Sequence, residues 1–155
     1  MRMNGKVAIV TGGAMGIGHA ICETLAAQGA AIVIADLAGA QAAAERLQQA
    51  GHRAIGVTAD VSSELDAARM VADALDHFGR IDVLVNNAAI YSTLQIKPFE
   101  ELTVADWKKM FDVNVIGQFL CCRAVLPALR RQGAGRIISI SSAVAFKGKI
   151  GRAHV

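Results

Sequence analysis

The amino-acid sequence predicts an α/β fold: a doubly wound, mostly parallel sheet covered by helices on both faces. Three observations carry that expectation. Short apolar runs recur along the chain and are continuous rather than alternating, as in strands buried on both sides. Segments with helical spacing separate them, giving the order β-α-β-α-β-α-β-α-β. A glycine-rich turn stands between the first run and the first helical segment.

The elements follow in order. Val7-Ala8-Ile9-Val10 is the first strand. Ile17, Ile21 and Leu25 fall four apart, a helical stripe that Gly29 can close. The longest apolar run, Ala30 to Ala35, reads as a buried second strand. Ala40, Ala43, Ala44 and Leu47 form a second stripe, closed by Gly51, and Ala54-Ile55-Gly56-Val57 is the third strand. Ser63 to Asp66 has the pattern of a capping box ahead of a helix through Ala67 and Val71. Val83-Leu84-Val85 is the fourth strand. Thr103 to Asp106 repeats the capping pattern before a long helical segment, 104–131, in which Pro127 is a candidate kink. Met110, Phe111, Val115, Phe119 and Leu120 give that segment a broad apolar stripe, as a core helix would have. Ile137-Ile138-Ser139-Ile140 is the fifth strand.

Composition narrows the function classes. A chain of 155 residues is the size of one domain, and 54% apolar against 19% charged residues can build a core. No apolar stretch approaches the ~20 residues that span a bilayer, and Met1 to Lys6 leads into a poor signal peptide. No membrane partner is expected. The net charge of +3 comes from scattered basic residues, so no nucleic-acid-binding stripe is expected either. Cys22, Cys121 and Cys122 are odd in number and lack CxxC spacing, which reads as reduced thiols in a cytoplasmic protein. His19 and Cys22 stand three apart on one helix, but nothing suggests a third or fourth ligand, so no metal is expected. The alternative places Cys22 in the core and His19 near the glycine turn. Ser141-Ser142 lacks the G-x-S-x-G elbow of a hydrolase nucleophile.

The strongest signal is Thr11-Gly12-Gly13-Ala14-Met15-Gly16-Ile17-Gly18, between the first strand and the first helix. Glycines allow a tight turn and a close approach of a pyrophosphate to the backbone. The helix that follows directs free N–H groups and a partial positive charge at that anion. Asp36 ends the second strand eighteen residues after Gly18. A carboxylate there accepts both hydroxyl hydrogens of an adenosine ribose and repels a 2′-phosphate. Leu37 supplies no compensating arginine, so NAD is expected over NADP. The chain contains no G-x-x-x-x-G-K-[ST] string, which argues against a P-loop.

Five motifs taken together resemble the short-chain dehydrogenase/reductase family: Thr11-Gly12-x-x-x-Gly16-x-Gly18, Asp60-Val61, Asn86-Asn87-Ala88-Ala89, Asn114, and Ile140-Ser141-Ser142. The resemblance covers the whole chain but only the first part of a usual member, which runs to ~250 residues as a single domain. It implies a three-layer Rossmann fold with strand order 3-2-1-4-5 and the later strands missing. It also implies site roles. Gly12, Met15, Gly16, Ile17 and Gly18 would line the pyrophosphate, Asp36 and Leu37 would flank the adenosine ribose, Asp60 and Val61 would contact the adenine, and Asn87 would lie along the nucleoside. Asn114 would hold a water of a proton relay, with a bond to backbone in a helix kink as the plainer alternative. Ser142 would hydrogen-bond the substrate oxygen. Ala89 stands where the family usually has glycine, and a small effect is expected.

The implied activity is hydride transfer between NAD(H) and a secondary alcohol or ketone. The family's Tyr-x-x-x-Lys pair would fall at or beyond Val155, so a chain truncated before it is expected to have at most trace activity. Tyrosine has a pKa near ~10 and serves as a base only beside a cation that lowers it. Tyr91 has Gln95, not lysine, four residues on, and is not assigned that role. The alternative is an inactive fragment that at most binds the adenosine half of NAD. The resemblance also implies homo-oligomers formed through the 104–131 helix, and the fifth strand is expected as an uncovered edge.

Overall fold

The computed structural model describes residues 2–90 and 98–142. Five strands, β1 (Val7–Thr11), β2 (Ala31–Asp36), β3 (Ala54–Thr58), β4 (Val83–Asn86) and β5 (Arg136–Ser139), form one parallel sheet in the order β3-β2-β1-β4-β5. The order is the one the family resemblance implies, and every pair is parallel where a mostly parallel sheet was expected. Ile9, at the centre, pairs with Val33 of β2 and Leu84 of β4.

Continuous burial of the strands follows from two layers of cover. Ala8 and Val10 join Ile32 and Ile34 beneath the helices α1 (Gly16–Ala27) and α2 (Ala40–Gln49). Val7 and Ile9 point the other way, with Val33 and Leu84, beneath α3 (Glu64–Phe78) and a helix that begins at Gly117. The α2 stripe is buried as expected at Ala40, Ala43, Ala44 and Leu47. The α1 stripe is not. Ile17 is 71% exposed, and the buried row lies one residue on, at Gly18, Cys22 and Ala26. Small side chains there let α1 lie close to the sheet, while Ile21 and Leu25 pack at its margin.

The two capping patterns differ in outcome. Thr103 makes a complete box, its Oγ1 accepting the Asp106 N–H at 3.1 Å and its own N–H reaching Asp106 Oδ2 at 3.0 Å. Ser63 caps α3 through the Asp66 N–H at 3.2 Å, but the Asp66 carboxylate turns to the Asp60 N–H at 2.9 Å and to Arg69. The expected single helix is interrupted: α4 (Val104–Phe111) passes through a π turn at Asp112–Ile116 into α5 (Gly117–Gln132). Pro127 lies inside α5, and the irregularity falls at Asn114 instead. The apolar stripe also divides. Leu120 is buried, whereas Phe111, Val115 and Phe119 are exposed. One 18-residue window of the 104–132 run reaches a mean hydropathy of 1.3, enough for a membrane span by length and composition alone, contrary to the expectation that no stretch would be. Leu120, Cys121, Val125, Ala128 and Leu129 pack α5 against the sheet, which makes it a core helix. All four residues of β5 are exposed at the sheet edge, as expected for an uncovered strand.

At the foot of the sheet Asp82 ties the chain together. It is 8% exposed and receives the Val7 N–H at 3.0 Å, Lys6 Nζ at 3.0 Å, and Arg80 through Nε at 2.8 Å and Nη2 at 2.6 Å. Burial pushes this carboxyl up, but Arg80, the Val7 N–H and Lys6 together outweigh burial and hold it below its usual range. A folded-state pKa below the unfolded one means that the contribution to stability is full above the ordinary carboxylate range and is lost as pH falls through it. Lys6 and Arg80 are about half exposed, so solvent screens part of the effect. Asp82→Asn should therefore cost about 1–3 kcal/mol near neutral pH. In urea titrations it should also flatten the acid-side loss of stability, and a variant with the parent's pH slope would contradict this account.

Candidate functional site

The end of β1 is built around Thr11, which is 1% exposed. Its Oγ1 accepts the N–H groups of Asn87 and Ala88, both at 3.1 Å, and donates to the Val85 carbonyl at 3.4 Å. The Asn87 amide donates in return to the carbonyls of Thr11 and Gly12, each at 3.0 Å. The turn is thereby fastened to the end of β4. Glycine is required at two of its points. A Cβ on Gly12, whose φ is +63°, would stand 2.8 Å from Ala88 Cα, and a Cβ on Gly18 would run into the Gly12 carbonyl and the Asn87 amide. Gly16 differs: its φ of +56° favours glycine, yet its Cβ position meets nothing within 4 Å, so the turn opens outward there.

Behind that opening stands the amino end of α1. Its N-cap is Met15, which makes no side-chain cap, and its first turn carries no acid. Helices α3 and α4, by contrast, are capped by Ser63 and Thr103. The first N–H groups of α1 thus have no side-chain acceptor, and the helix dipole adds positive potential. Met15 and Ile17 flank the opening, 76% and 71% exposed. An uncapped helix end of this kind is a cradle that can accept an anion.

Asp36 borders the cradle, with its Oδ2 accepting the Ala14 N–H at 3.0 Å, and Leu37 beside it is exposed. The fold also brings Arg46 from α2, whose Nη2 donates to the Ala14 carbonyl at 3.3 Å. It lies nine residues beyond Leu37 in the sequence, and only the packing of α2 on the turn places it there. His19 stands beside the turn, Nδ1 lying 3.3 Å from the Gly13 carbonyl, and Cys22 is core, its thiol pushed up to about 12 by burial. Among the described residues no three His, Cys, Asp or Glu side chains gather as a metal site.

Asp60 and Val61 follow β3. Asp60 Oδ1 accepts the Ser62 N–H at 2.8 Å and its hydroxyl at 2.6 Å, which fixes the chain there. Val61 is buried, and a Cβ on Gly117 would press against its side chain. Asn114 sits on the π turn and clamps the strand end opposite: Oδ1 accepts the Ile90 N–H at 2.8 Å and Nδ2 donates to the Ile90 carbonyl at 3.2 Å. Its side chain makes the backbone bond that was the plainer of the two expectations. Ser142 is exposed just past β5, so Asn114 and Ser142 both lie beyond the carboxyl ends of adjacent strands. Ala89 is exposed, and no described non-glycine residue has a positive φ, so its methyl group sits without strain. Tyr91 lies outside the described residues. Sequence reasoning gave Asn86 no structural task, yet it is 1% exposed and joins β4 to Cys122 and Ser139, at 3.3 and 3.5 Å.

Residues 6–154 match the family model of the short chain dehydrogenases. The chain is 44% identical over 146 residues to an uncharacterized oxidoreductase of Methylorubrum extorquens, covering 92% of this chain and 57% of that protein. It is 41% identical to the cis-4-hydroxycyclohexanecarboxylate dehydrogenase of Sinomonas cyclohexanicum, covering 96% of this chain and 58% of that protein. Against the D-threitol dehydrogenase of Mycolicibacterium smegmatis the identity is also 41%, with 93% and 55% covered. The chain spans somewhat over half the length of these relatives.

The knot at Thr11 makes a specific demand. Thr11→Val removes the acceptor of two part-buried N–H groups and should lower stability by about 2 kcal/mol. Thr11→Ser keeps the acceptor and should recover most of that in thermal unfolding. Equal losses from both variants would show that the hydroxyl is not what holds the turn.

Proposed function

Because this chain belongs to the short-chain dehydrogenase family, we propose that residues 1–155 form the dinucleotide-binding domain of an NAD(H)-linked oxidoreductase acting on a secondary alcohol or ketone. The observation that carries the proposal is the uncapped end of α1 opening at Gly16 with Asp36 at its side. Gly12, Met15, Gly16, Ile17 and Gly18 would hold the diphosphate on main-chain N–H groups. Asp36 and Leu37 would flank the adenosine ribose, where the Asp36 charge favours NAD over NADP. Asp60 and Val61 would meet the adenine, and Asn87 would border the nucleoside from the turn it fastens.

When bound, the nicotinamide supplies the acceptor or donor of hydride. The residues of this chain would orient the reactants. Ser142 would donate a hydrogen bond to the substrate oxygen. Asn114, its amide already bonded to Ile90, would hold the relay water at the π turn. The hydroxyl proton needs a base, and the only tyrosine in the 155 residues has glutamine, not lysine, four positions on. Binding and orientation are therefore what these residues are assigned. The free thiols of Cys22, Cys121 and Cys122 fit a cytoplasmic setting. The exposed Trp107, Phe111, Val115 and Phe119 on the α4–α5 run are the surface through which copies would associate.

Calorimetric titration should show NAD+ binding more tightly than NADP+, with at most trace NADH production from secondary alcohols. Asp36→Ala should weaken NAD+ by about tenfold or more. No heat with either dinucleotide, or robust turnover, would refute the assignment. Sedimentation tests the association surface: Phe119→Asp should shift the chain toward monomer, and an unaltered sedimentation coefficient would exclude that face.

A further inference from the structure

Two opposite charges meet the glycine turn at Ala14, and they come from different elements. Asp36 ends β2 and accepts the Ala14 N–H at 3.0 Å, while Arg46, on α2, donates to the Ala14 carbonyl at 3.3 Å. Opposite charges grip the two ends of one residue, which keeps them within about 10 Å of each other. Among the described residues Arg46 forms no ion pair, and it is exposed. Its position is set by rigid parts. A Cβ on Gly56 of β3 would strike the main chain at Ala40, and a Cβ on Gly39 would touch Ala14, so α2 lies tight against both the sheet and the turn.

Building on the NAD(H) assignment above, we propose that Arg46 is a specificity-determining residue, a ligand already in place for an adenosine 2′-phosphate and held out of use by the charge of Asp36. A guanidinium offers a phosphate a paired set of donors, and its one bond to a neutral carbonyl is readily exchanged for a bond to an anion. The carboxylate of Asp36 opposes the same phosphate at short range. Replacing Asp36 by asparagine removes that repulsion and retains an oxygen to accept the Ala14 N–H.

The test is calorimetric titration of the chain and its variants with NAD+ and NADP+, each variant first checked for native circular dichroism. Asp36→Asn should raise NADP+ affinity about tenfold or more. Adding Arg46→Gln should abolish that gain while leaving the NAD+ affinity of the Asp36→Asn protein within about twofold. Adding Arg46→Lys instead should keep part of the gain, because the charge remains. The inference is overturned if Arg46→Gln leaves the NADP+ gain intact, or if it weakens both dinucleotides in parallel, as loss of a purely structural bond to the turn would. Failure of the unaltered chain to bind either dinucleotide would sink the underlying assignment and this inference with it. NAD+ binding without an Arg46-dependent gain sinks the inference alone.

Discussion

The reciprocal bonding between Thr11 and Asn87 is the constraint on which the rest of the site depends. A hydroxyl at the end of β1 receives two amides from the end of β4, and an amide from β4 is given to two carbonyls of the turn. The turn is thus fastened before any ligand arrives. With Gly18 pressed against the Gly12 carbonyl, the first N–H groups of α1 have one direction left, outward past Gly16. A loop held only by its own glycines would lose that direction, and with it most of its hold on an anion.

The two ends of the sheet carry different duties. At the foot, Asp82 gathers Lys6, Val7 and Arg80, and its main chain pairs with Val7 and Arg136, so β1, β4 and β5 start in register. At the carboxyl ends the same strands deliver Thr11, Asn87 and Ser142. The π turn belongs to this second end. An interrupted helix lets Asn114 reach Ile90 just past β4, fixing the wall of the site from the opposite layer.

Much of this was legible in the sequence, for identifiable reasons. The strands follow from buried, continuous apolar runs, their order in the sheet from the family resemblance, and the glycine turn with Asp36 is a local pattern whose chemistry is local. The α2 stripe read correctly because its alanines are both apolar and small. The α1 stripe read one residue wrong because Ile17 and Ile21 are more apolar than Gly18 and Cys22, whereas close packing selected for size. The outward face of the α4–α5 run looked like core because periodicity reports an apolar face without saying what covers it. The π turn and the approach of Arg46 to Ala14 arise from contacts between residues 24 and 32 positions apart, and no local pattern encodes them.

The central claim is that the amino end of α1 is the anion site. Titrating NAD+ into the 15N-labelled chain and following the backbone amides by NMR tests it most directly. The account predicts that the largest shifts fall on Gly16, Ile17 and Gly18, with Ala14 moving through its bond to Asp36. It is contradicted if those amides stay still while the dinucleotide binds, or if the shifts gather elsewhere, such as the groove between Leu129 and Ile137 at the far end of α5.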